Sequence, residues 1–438
     1  MLQRQTAVFC RYPGIIQRCL RRMSDRKDSR SKQWNLQPTT TARNTFNAIR
    51  AIIDTSTAKP NPEYETIKLA AGDPAVYPGF EPPSSALEAI RESVNSEKFC
   101  GYQPAHGNAT ARKAVAELYS TPTQSLSSDD VLLTCGCNGA LDICFRGLAN
   151  PGDNILIPSP GFIIYTTMLD SYGIGFKEYR LLPEQNWDVD LYHLESLFDS
   201  KTKAIVVNCP SNPCGSVYTK EHKLEIIKLA AKHCVPIIAD EVYGGMVFAD
   251  IEYKSFGALS TDVPILSCGS LAKRYLVPGW RLGWIVLYDS VTALSSEVRE
   301  SLVRMCQVIL GPCAVIQGAV PKILKETPTE FFQAINRKLG ENAILVFDRL
   351  SKVPGLTPIM PRGSMYTLVG IDQKQHAGFK DDYDFTERLY SEMSVRCIPG
   401  KAFRAPGFFR IVLCASQAKL IEACDRLSEF CARHCTSL

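Results

Sequence analysis

The chain has 438 residues, 45% hydrophobic and 21% charged, a folded-protein balance with material for two or three domains, which excludes dominant disorder and fibrous architecture. Its net charge of +4 is unevenly spread: residues 1–35 hold nine Lys/Arg against two Asp/Glu, and the remainder is slightly acidic, without a nucleic-acid footprint. No uncharged apolar run approaches the roughly 18 residues that cross a bilayer.

The stretch Met1–Arg22 contains five arginines and no acid, interleaved with Val8, Phe9, Ile15, Ile16 and Leu20. It supports two readings, a mitochondrial transit segment or a solvated tail ahead of Met23. No uninterrupted apolar stretch follows the first arginines, which argues against a secretory signal, and the expected location is cytoplasmic with mitochondria as the alternative. The 17 cysteines are scattered, with no Cys-x-x-Cys pair, and read as reduced, mostly buried thiols. Cys431, His434 and Cys435 have no matching second pair, so they read as a helix face and no metal is expected.

From residue 131 onward, short apolar runs alternate with helix-length segments. Val131–Thr134, Asn154–Pro158, Ala204–Asn208, Pro236–Asp240, Ile265–Cys268 and Leu282–Leu287 read as buried strands, with helices over Gly139–Leu148, Gly161–Tyr172 and Lys220–His233 between them. That order predicts an α/β fold with a mostly parallel sheet between helix layers. After about Val303 the pattern changes to long helices through Leu350, strands at Tyr366–Ile371 and Phe409–Leu413, and a last helix over Gln417–His434. This predicts a smaller α+β domain. The expected division is 1–44 as a basic extension and arm, 45–77 and 331–438 as the two parts of the small domain, and 78–330 as the large domain.

Open α/β sheets bind ligands beyond the carboxyl ends of their strands, so polar residues there are the candidates. Val131–Thr134 leads into Cys135-Gly-Cys-Asn-Gly139, a turn that could offer backbone N–H groups to a phosphate; alone it is a common geometric device. Ala204–Asn208 runs into Pro210-Ser-Asn-Pro-Cys-Gly215, which fixes Asn212, although an Asn capping its own turn is the bland alternative. Asp240-Glu-Val-Tyr243 places a carboxylate and a phenol at a buried strand end, where an unpartnered carboxylate would be costly. Lys273, just past Ile265–Cys268, is a candidate for imine chemistry, though most lysines lie on surfaces. Arg281, between glycines, and Arg410, within Phe408-Phe-Arg-Ile-Val-Leu413, suit phosphate or carboxylate contacts. Ser270-Leu-Ala-Lys273 also matches the Ser-x-x-Lys of penicillin-recognising enzymes, but Ser-Asp-Asn and Lys-Thr-Gly are absent.

A lysine for an imine, a carboxylate for a pyridinium nitrogen, two donors for a phenolic oxygen and an anion cup together fit pyridoxal phosphate. Over roughly residues 40–435 the chain resembles the fold-type I, class I pyridoxal-phosphate-dependent aminotransferases. The resemblance rests on Thr45–Asp54, Gly72-Asp-Pro74, Gly101-Tyr-Gln-Pro-Ala-His-Gly107, Pro160-Gly-Phe-Ile-Ile-Tyr165, Asn208–Tyr218, Asp240-Glu-Val-Tyr-Gly244 and Ser270–Trp284. Ile309-Leu-Gly-Pro-Cys313 and Pro361-Arg-Gly-Ser-Met-Tyr366 also match.

The resemblance implies transfer of the amino group of L-tyrosine to 2-oxoglutarate by a ping-pong route. It implies Lys273 as the covalent anchor and proton carrier, Asp240 on the ring nitrogen, and Tyr243 and Asn212 on the ring oxygen. Phe162 would stack on the ring; Gly136, Cys137, Asn138, Ser270 and Arg281 would hold the phosphate. Tyr102 would reach the phosphate of a neighbouring subunit, making a homodimer part of the site. Arg410 would grip the substrate carboxylate, with Gly72 and Asn212 beside the substrate. Asn138 stands where relatives usually have serine, and Ala48 replaces a common arm proline. The alternatives are broader specificity (phenylalanine, tryptophan, kynurenine), a synthase or lyase on the same fold, and a non-enzymatic descendant, which the intact site residues disfavour.

Overall fold

The computed structural model describes residues 35–248 and 251–435; the basic segment and its two readings lie outside the described residues. A short strand, β1 (Ile67–Lys68), precedes an eight-stranded sheet. The sheet comprises β2 (Val131–Thr134), β3 (Asn154–Ser159), β4 (Gly175–Leu182), β5 (Asp188–Val189), β6 (Thr202–Asn208), β7 (Ile237–Asp240), β8 (Ile265–Ser270) and β9 (Gly283–Tyr288), in the order 2-9-8-7-6-3-4-5. Strands β4, β3, β6, β7 and β8 run parallel, β9 lies antiparallel between β8 and β2, and β5 is antiparallel to β4.

The central strands read as continuous apolar runs because helices cover both faces. Ile205, Val207, Ile237, Ala239 and Ile265 pack into one core, whereas Ala204, Val206, Ile238, Leu266 and Cys268 pack into another on the opposite face. This is the two-residue alternation of a strand buried on both sides. Helix boundaries follow local chemistry. Thr219 caps Lys220–Lys232 by accepting from His222 N at 3.1 Å, and Ser416 caps Gln417–His434 by accepting from Lys419 N.

The C-terminal part contains an antiparallel sheet of β10 (Leu356–Pro358), β11 (Tyr366–Ile371), β13 (Ile398–Pro399) and β14 (Phe408–Val412), in the order 10-11-14-13. It packs against the helices Thr329–Leu350, Asp382–Met393 and Gln417–His434 through a third core that includes Leu339, Val346, Phe385, Leu389, Phe409 and Phe430. β1 pairs in parallel with β12 (Val395–Arg396), tying the N-terminal segment to this C-terminal unit.

The six strands expected between Val131 and Leu287 are all present, with bounds that agree to within two residues. The first expected helix differs more: it begins at Gly136, so Gly136, Cys137 and Asn138 form its first turn and do not precede it. Among the described residues no helix is long and apolar enough to cross a membrane, and no three His, Cys, Asp or Glu side chains converge as a metal site.

Candidate active site

The site lies at the carboxyl ends of β6, β7 and β8. Asp240 is the last residue of β7, in register between Asn208 and Cys268. Its side chain lies on the same face as Ile238, under the helix that starts at Gly136. Tyr165 Oη donates to Asp240 Oδ2 at 2.6 Å, while the Cys137 thiol (3.5 Å) and Val242 N (3.3 Å) donate to Oδ1. Burial pushes the carboxyl above its ordinary pKa; the three donors and the charge of Lys273 pull the other way. No cation lies within ion-pairing distance among the described residues.

This imbalance yields a prediction. In cofactor-free protein Asp240→Asn should raise the melting temperature by about 2–4 °C near neutral pH, because it removes an uncompensated buried charge. A folded-state pKa above the unfolded one makes wild type lose stability as pH climbs through the unfolded carboxylate range, so the advantage should vanish below about pH 4. Thermal melts across pH check this, and a variant less stable than wild type at every pH would refute it.

Lys273 follows β8 by three residues, and its Nζ donates to the Gly72 carbonyl, bringing an N-terminal segment against the sheet. Tyr243 is buried with its hydroxyl 2.8 Å from that of Tyr366. Burial first, and Tyr366 second, keep the Tyr243 phenol protonated, which leaves it a donor. Asn208 Oδ1 accepts from Asn212 N at 2.7 Å and so fixes the turn that carries Asn212.

Arg410 occupies the centre of β14, opposite both Leu368 and Ile398, and is 3% exposed. Nη1 donates to Asn212 Oδ1 and Nη2 to the Ala70 carbonyl, each at 2.8 Å. The guanidinium lies 4.2 Å from the Tyr366 ring centre and 4.5 Å from that of Phe403. Nε is buried without a hydrogen-bond partner, and no carboxylate pairs with Arg410 among the described residues. A buried arginine in that condition has capacity for an anion.

At the other end of the cleft, Gly136 opens its helix at φ +71° with no side-chain cap. A Cβ there would stand 2.6 Å from Arg281 Nη2, so both backbone conformation and close approach require glycine. Arg281 donates to the carbonyls of Pro278 and Cys135 and has no acidic partner among the described residues. Ser270 Oγ donates to the Leu282 carbonyl at 2.8 Å and accepts from Ala272 N. Free N–H groups at a helix start beside an arginine suit an anion. Phe162 is half-buried on the Asp240 side, edge-on to Tyr165 at 5.9 Å. Tyr102 makes no hydrogen bond or ring contact with any of these residues and is 92% exposed.

Two participants lie beyond the roles that the resemblance implies, Tyr165 and Tyr366. The thiol of Cys137, expected to contribute only its backbone, is a third.

The residues fit pyridoxal phosphate on grounds internal to the structure. A buried carboxylate lacking a cation would receive a protonated ring nitrogen, a protonated phenol and an Asn flank the position of a ring oxygen, and the uncapped helix start with Arg281 suits a phosphate. The orphaned Arg410 Nε leaves capacity for a substrate carboxylate.

The fold and this set of groups define a pyridoxal-phosphate-dependent aminotransferase: the model of the family "aminotransferase class I and II" matches residues 64–427, and the chain belongs to that family. Among curated proteins it is 48% identical to tyrosine aminotransferase of Mus musculus, over 93% of this chain and 90% of that protein. It is 47% identical to that of Homo sapiens, over 92% and 89%. The crystal structure of tyrosine aminotransferase from Leishmania infantum superposes with a TM-score of 0.88 at 32% identity, covering 92% of this chain and all of that one.

Proposed function

We propose that the protein transfers the amino group of L-tyrosine to 2-oxoglutarate, giving 4-hydroxyphenylpyruvate and L-glutamate in two half-reactions. The observation that carries this reading is the buried, acid-free Arg410 in the same cleft as Lys273 and Asp240. A carboxylate docked there brings the adjacent α-carbon to the lysine. The similarity to proteins named for tyrosine supports the choice of amino acid.

Pyridoxal phosphate, when bound, supplies a ring that accepts the charge left as the α-proton departs. Asp240 holds the ring nitrogen protonated, a task for which a carboxylate braced by Tyr165, Cys137 and Val242 is suited. Tyr243 and Asn212 hold the ring oxygen, and Phe162 covers the ring face. The N–H groups of Gly136, Cys137 and Asn138, with Ser270 and Arg281, fix the phosphate. Lys273 would be the cofactor's covalent anchor and, once released, the base that takes and carries the proton of the substrate α-carbon. Arg410 orients both amino and keto acids by their carboxylates, and Gly72 leaves room beside them. The exposed Tyr102 serves the phosphate of a second subunit, in a homodimer with shared sites.

The absorption spectrum of the holoenzyme tests this. L-Tyrosine alone should bleach the cofactor's visible band, and 2-oxoglutarate should restore it. A band that tyrosine leaves in place and another amino acid bleaches would move the substrate; failure to take up pyridoxal phosphate would refute the enzyme reading.

A further inference from the structure

Tyr366 lies between Tyr243 and Arg410. It opens β11, opposite Val412 of β14, and is 1% exposed. Its hydroxyl lies 2.8 Å from that of Tyr243, its ring meets the Tyr243 ring edge-to-face at 5.7 Å, and its face carries the Arg410 guanidinium. The same hydroxyl would stand 2.5 Å from a Cβ at position 72, so Tyr366 leaves no room for a side chain there unless it shifts. Gly72 in turn accepts from Lys273 through its carbonyl. One side chain therefore touches, or stands one contact from, the groups assigned to the ring oxygen, the substrate carboxylate and the covalent anchor.

We infer that Tyr366 is a positioning residue with two separable actions, an inference that rests on the roles given above to Tyr243 and Arg410. The hydroxyl acts on Tyr243. When two phenols share one hydrogen bond, one is donor and the other acceptor. With Tyr366 donating to Tyr243 Oη, the Tyr243 proton is free to point at the ring oxygen and is polarised for donation. The ring acts on Arg410. Its face stabilises a guanidinium that has no carboxylate of its own and holds the planar fork in one orientation.

Separate variants test the two actions. Tyr366→Phe keeps the platform and deletes the hydroxyl. In the holoenzyme it should raise the pH midpoint of the cofactor's visible absorbance change by about 0.5 unit or more, because Tyr243 becomes a weaker donor to the ionised ring oxygen. Michaelis constants should stay within about twofold. Tyr366→Leu deletes both, and should also raise the Michaelis constants of amino acid and keto acid about 10-fold or more through loss of the cation–π platform.

Tyr243→Phe serves as the reference. It should move the midpoint further, and the double variant Tyr243→Phe, Tyr366→Phe should match it, since Tyr366 acts through Tyr243. If Tyr243→Phe leaves the midpoint unmoved, the role of Tyr243 itself is wrong. If Tyr243→Phe shifts it and Tyr366→Phe does not, the hydroxyl relay is overturned while the site assignment stands. Equal rises in Michaelis constants for Tyr366→Phe and Tyr366→Leu would overturn the platform action.

Discussion

Lys273→Ala should lose at least about 10⁴ in turnover while the protein stays folded and holds its cofactor without a covalent link. Proton transfer by a positioned side chain contributes up to about 10⁴ on its own, and the proposed role also makes this lysine the attachment point. Among the described residues, three titratable partners in the site are poor substitutes as a base. Asp240 is enclosed by Tyr165, Cys137 and Val242, Tyr243 is held protonated, and Arg410 is a cation engaged with Asn212 and Ala70. Single-turnover kinetics with L-tyrosine, alongside a spectrum of the bound cofactor, measures both halves of the expectation. Near-normal turnover would remove Lys273 from its role.

Arg410→Gln should reduce kcat/KM by about 10²–10³, the cost of leaving a substrate carboxylate without a charged, two-pronged partner in a buried site. The loss should fall mainly on the Michaelis constants, and on those of amino acid and keto acid alike, because both carry a carboxylate next to the reacting carbon. Arg410→Lys should rescue little, since a point charge cannot replace a planar fork placed between the Tyr366 and Phe403 rings. Arg410 also fixes Asn212, so cofactor affinity must be measured separately by titration of cofactor-free protein. Unchanged Michaelis constants for both substrates would overturn the assignment.

The strands of the large sheet were legible because they are buried on both faces, so Val131–Thr134 or Ile237–Asp240 stands out as an apolar run ending in a polar residue. Those endings revealed Asp240, Asn212 and the approach to Lys273. β4 escaped notice because one face is partly exposed and Gly175-Phe-Lys-Glu-Tyr-Arg breaks the run with charges. Tyr165 and Tyr366 escaped a role for a different reason. A tyrosine in a half-buried helix or an antiparallel strand has the pattern of ordinary core, and only the fold shows that its hydroxyl meets Asp240 or Tyr243. The Ala70 and Gly72 carbonyls lie beyond any residue-type argument, since every residue carries one.

The pairing of β1 with β12 bears on the order in which this protein can be made. β2 to β9 all lie between Val131 and Tyr288, so the large sheet can assemble while the last third of the chain is still being synthesised. The segment Ile67–Gly72, emerging long before, has to wait for Val395–Arg396 before its strand has a partner, and Ala70 must wait for Arg410. The contact of Arg410 with Ala70 is therefore among the last that the nascent chain can make, and a ribosome that stops short of residue 410 leaves the start of the chain without it.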